Sequence, residues 1–433
     1  MKASGHARGV RGSIVIVTIN RGARDPRRRA EGLLPDAPNT DDRILEATAA
    51  LLASGGASSV TLAAVARGIG TSIRPVHNRV SSRSELLATA WRERLYPDIA
   101  TLLHGIVEGV QSARTGRPQP LLAALATAPV RSTLRDAGTE LLLNARFHPP
   151  LTAAVDETLG AQIRAWTQPT AQQTAQTAAR HAFVLALALG LMIGARHQRA
   201  QTLDLPQALP IWVAALQHDS PGQSLPARSA THIDEYPVLA PDDPALDILL
   251  NTALEMISLR GFDQVTVAQI ARAAGFTEGL VFSRYDTKLD MLLDATRRQN
   301  EAGLALNHAF TRALQRDFGT ALAEAVLLRE AQLPSRVVGR SMALEQIRLG
   351  WRHAPLAQAQ NQALDDFRAE LLQQPGWAEY ESETDFMLQM ALSWGAYLLP
   401  FLSPDVYALP YDVILVPLYA GFEARREGSS GGQ

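Results

Sequence analysis

The sequence predicts an all-α protein made of two tandem copies of one plan, each a three-helix head followed by a larger helical body. Three observations lead there. The chain is rich in the Ala and Leu that favour helices, with 46% hydrophobic and 19% charged residues, the balance of a globular helical protein. Its 433 residues exceed what one domain of about 100–200 residues would hold. Finally, shifting the chain by 205 residues lays one half on the other without a gap.

That register places Val60 and Thr61 on Val265 and Thr266, Gly56 on Gly261, Ala66 on Ala271, Gly70 on Gly275 and Leu87 on Leu292. It persists beyond the heads, where Glu140 meets Glu345, His148 meets His353, and Ala186 and Gly190 meet Ala391 and Gly395. The period is far longer than the roughly 20–50 residues of a solenoid repeat, so each copy is a complete unit.

In chain order, residues 1–39 carry Arg21, Arg24 and Arg27 to Arg29, then Pro35 and Pro38, without helical periodicity. They are expected to be disordered, either a solvated tail or a basic arm reaching a minor groove. A first head spans 40–95 and a first body 96–218. The Pro- and Ser-containing stretch 219–241 reads as a linker; about 24 residues at ~3.3 Å each reach on the order of 80 Å. A second head follows at 242–298, a second body at 299–426 and a disordered tail at 427–433.

The second head is the clearest segment. Val267, Ile270 and Ala271 fall at i, i+3 and i+4, the apolar stripe of a short helix that Thr266 can cap. Gly275 supplies the tight turn, and Thr277 caps the next helix. That helix turns Leu280 and Val281 inward and presents Thr277, Glu278 and Gly279 outward, where a recognition helix meets base edges. Lys288 then opens another helix beside an expected phosphate path and reads as a clamp on the DNA backbone.

On Thr266, Ile270, Ala271, the run Ala274 to Thr277, Gly279, Phe282, Tyr285 and the Thr287–Lys288 pair before Leu289 and Leu292, the segment resembles the DNA-binding head of the TetR family of bacterial transcriptional regulators. The resemblance implies a DNA-binding protein that pairs two heads over two operator half-sites through the last two helices of each body; the cytoplasmic location expected for it rests on the missing cysteines and on residues 13–19 being too short for a signal peptide. It implies repression relieved by a small-molecule effector, with activation the other mode. Phe282, Ser283 and Tyr285 join the expected DNA-facing set.

The first head departs from the pattern, with Arg74 and Pro75 in place of Gly279 and Leu280, His77 for Phe282, Val80 for Tyr285 and Arg83 for Lys288. Proline is tolerated there because it falls in a helix's first turn. Thr61, Thr71, Ser72, Arg74, His77, Asn78 and Arg83 are its candidates for DNA; Arg74 has the fork that pairs with guanine and Asn78 the amide that pairs with adenine. For each, a solvated surface is the competing reading. Unlike recognition helices predict an imperfectly palindromic operator.

In the bodies, Ala182, Ala186, Gly190 and Gly194 recur every four residues and open one helix face to close approach, as Ala391 and Gly395 do in the second copy. With the helices near 209–216 and 413–422 they would complete a four-helix interface. The chain would then pair with itself as a monomeric pseudo-dimer, a homodimer being the alternative; the same small faces also suit packing within each body. Candidate pocket residues for an apolar or aromatic effector are His148, Phe183, Trp351, His353, Trp377, Phe386, Met390, Trp394 and Tyr397, although such side chains equally fill cores. His148 and His353, each before a proline-containing break, either cap a helix or meet ligand.

The chain has no cysteine, which excludes disulfides, thiolate metal sites and thiol nucleophiles. No catalytic motif, cofactor loop or metal-ligand spacing is present, so no enzyme, cofactor or metal is expected. The longest apolar run, Ala182 to Ala195, is shorter than the ~18 residues a membrane span needs and reads as buried. A net charge of −2 means that DNA affinity must come from local patches. The alternative to a regulator is a ligand-binding or protein-interaction module whose first head no longer reads DNA.

Overall fold

The computed structural model describes residues 39–218, 238–373, 377 and 382–430. The leader, most of the linker and the last three residues of the expected tail lie outside them. Every regular element among the described residues is a helix. The first half runs α1 (Thr40–Ser59), α2 (Leu62–Gly68), α3 (Ile73–His77), α4 (Arg83–Ala90), α5 (Tyr96–Arg114), α6 (Gln119–Thr127), α7 (Thr133–Ala145), α8 (Pro149–Val155), α9 (Ala161–Thr167), α10 (Ala175–Gly194) and α11 (Leu205–Ala215). The second runs α12 (Pro244–Arg260), α13 (Val267–Ala273), α14 (Glu278–Phe282), α15 (Lys288–Phe318), α16 (Thr320–Gln332), α17 (Val337–Gly350), α18 (Ala354–Leu371), α19 (Glu383–Leu398) and α20 (Asp412–Ser430).

The second, third and fourth helices of the two heads start in the 205-residue register to the residue. Leu62 and Val267 open α2 and α13, Ile73 and Glu278 open α3 and α14, and Arg83 and Lys288 open α4 and α15. The reason is local: their N-cap residues are Thr61 and Thr266, Ser72 and Thr277, Ser82 and Thr287, and every one but Ser72 accepts a free N–H at the helix start on its side-chain oxygen.

Beyond the heads the halves diverge. In the second, α15 continues as one helix of 31 residues from head into body. In the first, a π-helical turn at Trp91–Leu95 interrupts the path and α5 begins with Pro97 in its first turn. Proline lacks an N–H and clashes with the carbonyl four residues back, so the ladder must shift there. Ala302 stands at the equivalent place in the second half and imposes no such break. The helix α20 extends to Ser430, so residues 427–430 are helical and the expected tail begins later than its composition suggested.

Residues from Thr40 onward form one compact unit, and its main apolar core draws on both halves. At the centre α10 packs along α19, with α11 against α20. A Cβ built on Gly190 would lie 1.6 Å from the Ala391 carbonyl oxygen, and one on Gly395 would lie 1.7 Å from that of Ala186. The two contacts are the same pair seen from each side of the register. Around them Trp212 meets the edge of Phe422 at 6.1 Å, and Thr167 and Ser403 share a hydrogen bond of 2.9 Å. Helix α10 is long and apolar enough to cross a membrane by length and composition, but 89% of its most apolar window is buried in the fold.

This packing gives a direct expectation. Gly190→Ala should lower the melting temperature by several degrees, because the methyl group meets backbone rather than a movable side chain, an overpacking cost of about 1–3 kcal/mol or more. Gly105→Ala, on α5 with nothing within 4 Å of its Cβ position, should leave stability unchanged or raise it. Equal melting temperatures for the two variants would contradict the close approach.

Candidate nucleic-acid interface

In the second head, the Thr266 hydroxyl accepts from the Gln269 N–H at 3.2 Å while the Gln269 side chain accepts from the Thr266 N–H at 2.9 Å, a complete capping box. Gly275 turns the chain at φ 79°, a conformation open to glycine without strain. The Thr277 hydroxyl then accepts from the Leu280 N–H at 3.3 Å. Each capping hydroxyl keeps its own O–H free to donate, which suits contact with phosphate oxygens. Val281 is buried beneath α14, while Thr277, Glu278, Gly279, Phe282 and Ser283 are exposed. Phe282 is a large apolar side chain with 51% of its surface exposed. Tyr285 is half-buried and its phenol donates to Asp294 at 2.5 Å, so its polar tip is engaged within the head.

The first head repeats the arrangement on different chemistry. Thr61 accepts from the Ala64 N–H at 3.0 Å, Gly70 turns at φ 67°, and Val76 is buried beneath α3. Ser72, Arg74, His77 and Asn78 are exposed and Thr71 is half-buried. Pro75 occupies the third residue of α3, within the first turn, where no helical N–H bond is lost.

Lys288, expected as a clamp on the DNA backbone, and Arg83, expected among the DNA-facing residues, both bond within their heads. The Lys288 ammonium donates to the Phe262 and Val265 carbonyls, both at 2.6 Å, and lies 4.0 Å from the Phe262 ring centroid. Arg83 donates to the Ala57 and Val60 carbonyls at 2.5 and 2.8 Å, the same two places in the register. Burial lowers the pKa of both cations. These residues tie the start of the fourth helix of each head to the corner before the second. Lys288→Met should therefore lower stability by about 1–3 kcal/mol through two unanswered carbonyls and leave the salt dependence of DNA binding unchanged. A salt slope reduced by about one would restore the clamp.

Beneath the heads lies a feature the sequence reading did not assign, a buried charge network. The Glu140 carboxylate accepts from the Ala57 N–H at 3.0 Å and the Glu345 carboxylate from the Phe262 N–H at 2.8 Å, equivalent bonds at the two head corners. Arg348 joins them. Its guanidinium donates to Glu345 at 2.7 and 2.8 Å and to Glu140 at 3.1 Å, and reaches Asp263 at 3.4 Å. Arg352 pairs with Glu140 from the other side, and Arg146 stands 3.7 Å from Glu345. The signal available in sequence was the match of Glu140 with Glu345 in the 205-residue register.

Burial alone would raise the Glu345 carboxyl; the charge and hydrogen bond of Arg348, with Arg146 and the Phe262 N–H, outweigh it and hold the group below its ordinary 4.5. A lowered folded-state value contributes stability that is present above 4.5 and is lost as pH falls through the lowered value. Acidification well below 4.5 should thus release the second corner, seen as faster amide exchange at Phe262. Glu345→Gln should flatten that acid response, and an unchanged response in the variant would contradict this assignment.

The bodies hold a cavity of about 860 Å³ in the second half, walled mainly by α15 to α19. Of the expected pocket residues Met390, Trp394 and Tyr397 line it. The others do not. Phe183 stacks on Trp212 at 6.2 Å in the first body's core, Trp377 meets Tyr419 edge-on at 6.3 Å, and Phe386 packs 6.4 Å from Phe367. Trp351 lies under the Arg196 guanidinium at 4.7 Å. His148 and His353 occupy the N-cap positions of α8 and α18 without a side-chain capping bond, and burial lowers the pKa of each. Large aromatics in a helical body are consumed first by the core, which is why their count did not locate the cavity.

Residues 249–295 match the family model described as bacterial regulatory proteins, tetR family. No curated protein matches the chain significantly. The matched stretch covers most of α12, both helices of the helix-turn-helix and the opening turns of α15. It therefore contains the capping box, the left-handed Gly275, the exposed face of α14 and the internally bonded Lys288. The chain carries a TetR-family DNA-binding domain in its second head, the mark of a transcriptional regulator whose partner is double-stranded DNA.

Proposed function

We propose that the chain is a ligand-released repressor that carries two unlike heads on one polypeptide and pairs them within itself over an imperfectly palindromic operator. One observation carries this reading: two helix-turn-helix units stand in the same register of caps, turn glycines and corner bonds, above a reciprocal contact of Gly190 with Ala391 and Gly395 with Ala186. Reciprocity of that kind is the signature of a two-fold interface, here within one chain and consistent with a tandem duplication.

The heads differ in ways that bear on DNA. The first contains more arginines than acidic residues, while the second contains more acids than bases. Phosphate attraction scales with local positive charge, so the first head supplies the stronger electrostatic hold and the second the family's reading surface. Arg74 and Asn78 offer polar contacts to base edges, and Phe282 an apolar contact of the kind thymine methyl groups accept.

Selection of duplexes from a random library by the full chain, followed by footprinting, tests this reading. The expected result is two protected major-groove segments of different sequence about one helical turn apart. Arg74→Ala should weaken one half-site alone, with a loss of about 1–3 kcal/mol. Protection of one segment only would assign the first head to pairing rather than to DNA, and selection of no duplex would favour the ligand-binding or protein-interaction module.

A further inference from the structure

Three polar residues that line the cavity in the second body have aliphatic counterparts in the first. At the register positions of Glu330, Gln346 and Gln389, which line it, the first half has Leu125, Leu141 and Val184, all at most 1% exposed. Space follows the same division. A Cβ on Gly339 meets nothing within 4 Å, whereas one on Gly138, the counterpart of cavity-lining Ala343, would lie 2.6 Å from the Ile99 side chain. The first body is filled by its own aliphatic residues at these positions; the second is hollow and partly polar.

Helix α17 connects this cavity to the charge network. Gly339, Ala343 and Gln346 face the cavity, while Glu345 and Arg348 on the same helix bond both head corners. Arg348 has no equivalent in the first half, where Leu143 stands at its register position; Arg352 reaches Glu140 beside it, and Arg146 of the first half reaches Glu345. Displacing α17 therefore pulls on Phe262 through Glu345 and on Ala57 through Arg348 and Glu140.

We propose that the second body holds the effector site for both heads, taking one amphipathic ligand per chain, and that α17 with Arg348 carries its effect to the two corners together. This rests on the reading of the chain as a ligand-regulated DNA-binding protein. The ligand class follows from the walls. Phe310, Leu328 and Trp394 offer an apolar bed. Both N–H groups of the Gln346 amide are spent on Thr296 and Gln299, each at 3.1 Å, and Gln389 donates to Glu324 at 2.5 Å. What the Gln346 amide still offers is its carbonyl oxygen, and Arg336 and Arg340 also line the wall, so the matching ligand is an aromatic or alicyclic molecule bearing polar groups.

Because the chain lacks cysteine, single thiols can be placed at Ser393, which lines the cavity, and at its counterpart Ala188, which is fully buried. Monobromobimane serves as a covalent occupant. In the native full-length chain Ser393→Cys should label at least about tenfold faster than Ala188→Cys, whose thiol must wait for opening of the fold. The Ser393→Cys adduct should change amide exchange at both corner segments, 55–62 and 260–267, severalfold. In the same adduct with Arg348→Leu the change should stay at 260–267; Arg348→Lys, which keeps the charge but loses the fork, serves if the leucine variant does not fold. Equal labelling at the two sites, an adduct that moves neither corner, or a response at 55–62 that survives loss of Arg348 would each overturn the proposal. None of these readouts involves DNA, so they stand apart from the duplex selection that decides the DNA-binding reading.

Discussion

Two carboxylates that cannot be left alone in the interior organise this molecule. Glu140 and Glu345 are wholly buried, and an unpaired charge there would cost far more than any single packing contact returns. Each meets that demand with a backbone N–H from a head corner and with the guanidinium of Arg348, itself 1% exposed as a side chain. The consequence is geometric. Satisfying the charges requires α7, α17 and both head corners to meet at one place, so neither head can settle independently of the other. Replacing such a network with hydrocarbon would often cost little in stability; what it supplies here is a fixed relation between two elements that local sequence alone leaves free.

The close approach of α10 and α19 completes that relation at the other end of the bodies. Small residues at Gly190, Gly395, Ala186 and Ala391 bring the backbones together, and the central core is continuous across the halves. On this shared frame the two halves differ in chemistry. The first has the more basic head and aliphatic side chains at Leu125, Leu141 and Val184; the second has a segment matching the family's helix-turn-helix and a hollow with Glu330, Gln346 and Gln389 at the same register positions. In the proposed account the copies share labour, with sensing on one side and reading on both.

Much of the fold was legible because short helices are set by local chemistry. Thr266, Gly275 and Thr277 act through their own backbone neighbours, so the helix-turn-helix could be placed to the residue, and the register carried that placement to the first head. Side-chain destinations were less legible. Lys288 looked like a phosphate contact because a cation at a helix start beside DNA is expected to reach outward, yet two carbonyls 23 and 26 residues earlier capture it. Trp377 and Phe386 looked like pocket walls, but sequence does not distinguish an aromatic that lines a void from one that fills it. The charge network lay between these cases: the match of Glu140 with Glu345 was visible, but the bridge depends on Arg348 reaching a residue 208 positions away.

The account stands or falls on whether the two copies pair within one chain, and light scattering at micromolar concentration measures that directly. A mass near 46.8 kDa is the predicted result, the interface along α10 and α19 being satisfied internally. A mass of about twice that value at the same concentration would contradict it, since a further interface between chains would then hold four heads or exchange the copies between partners.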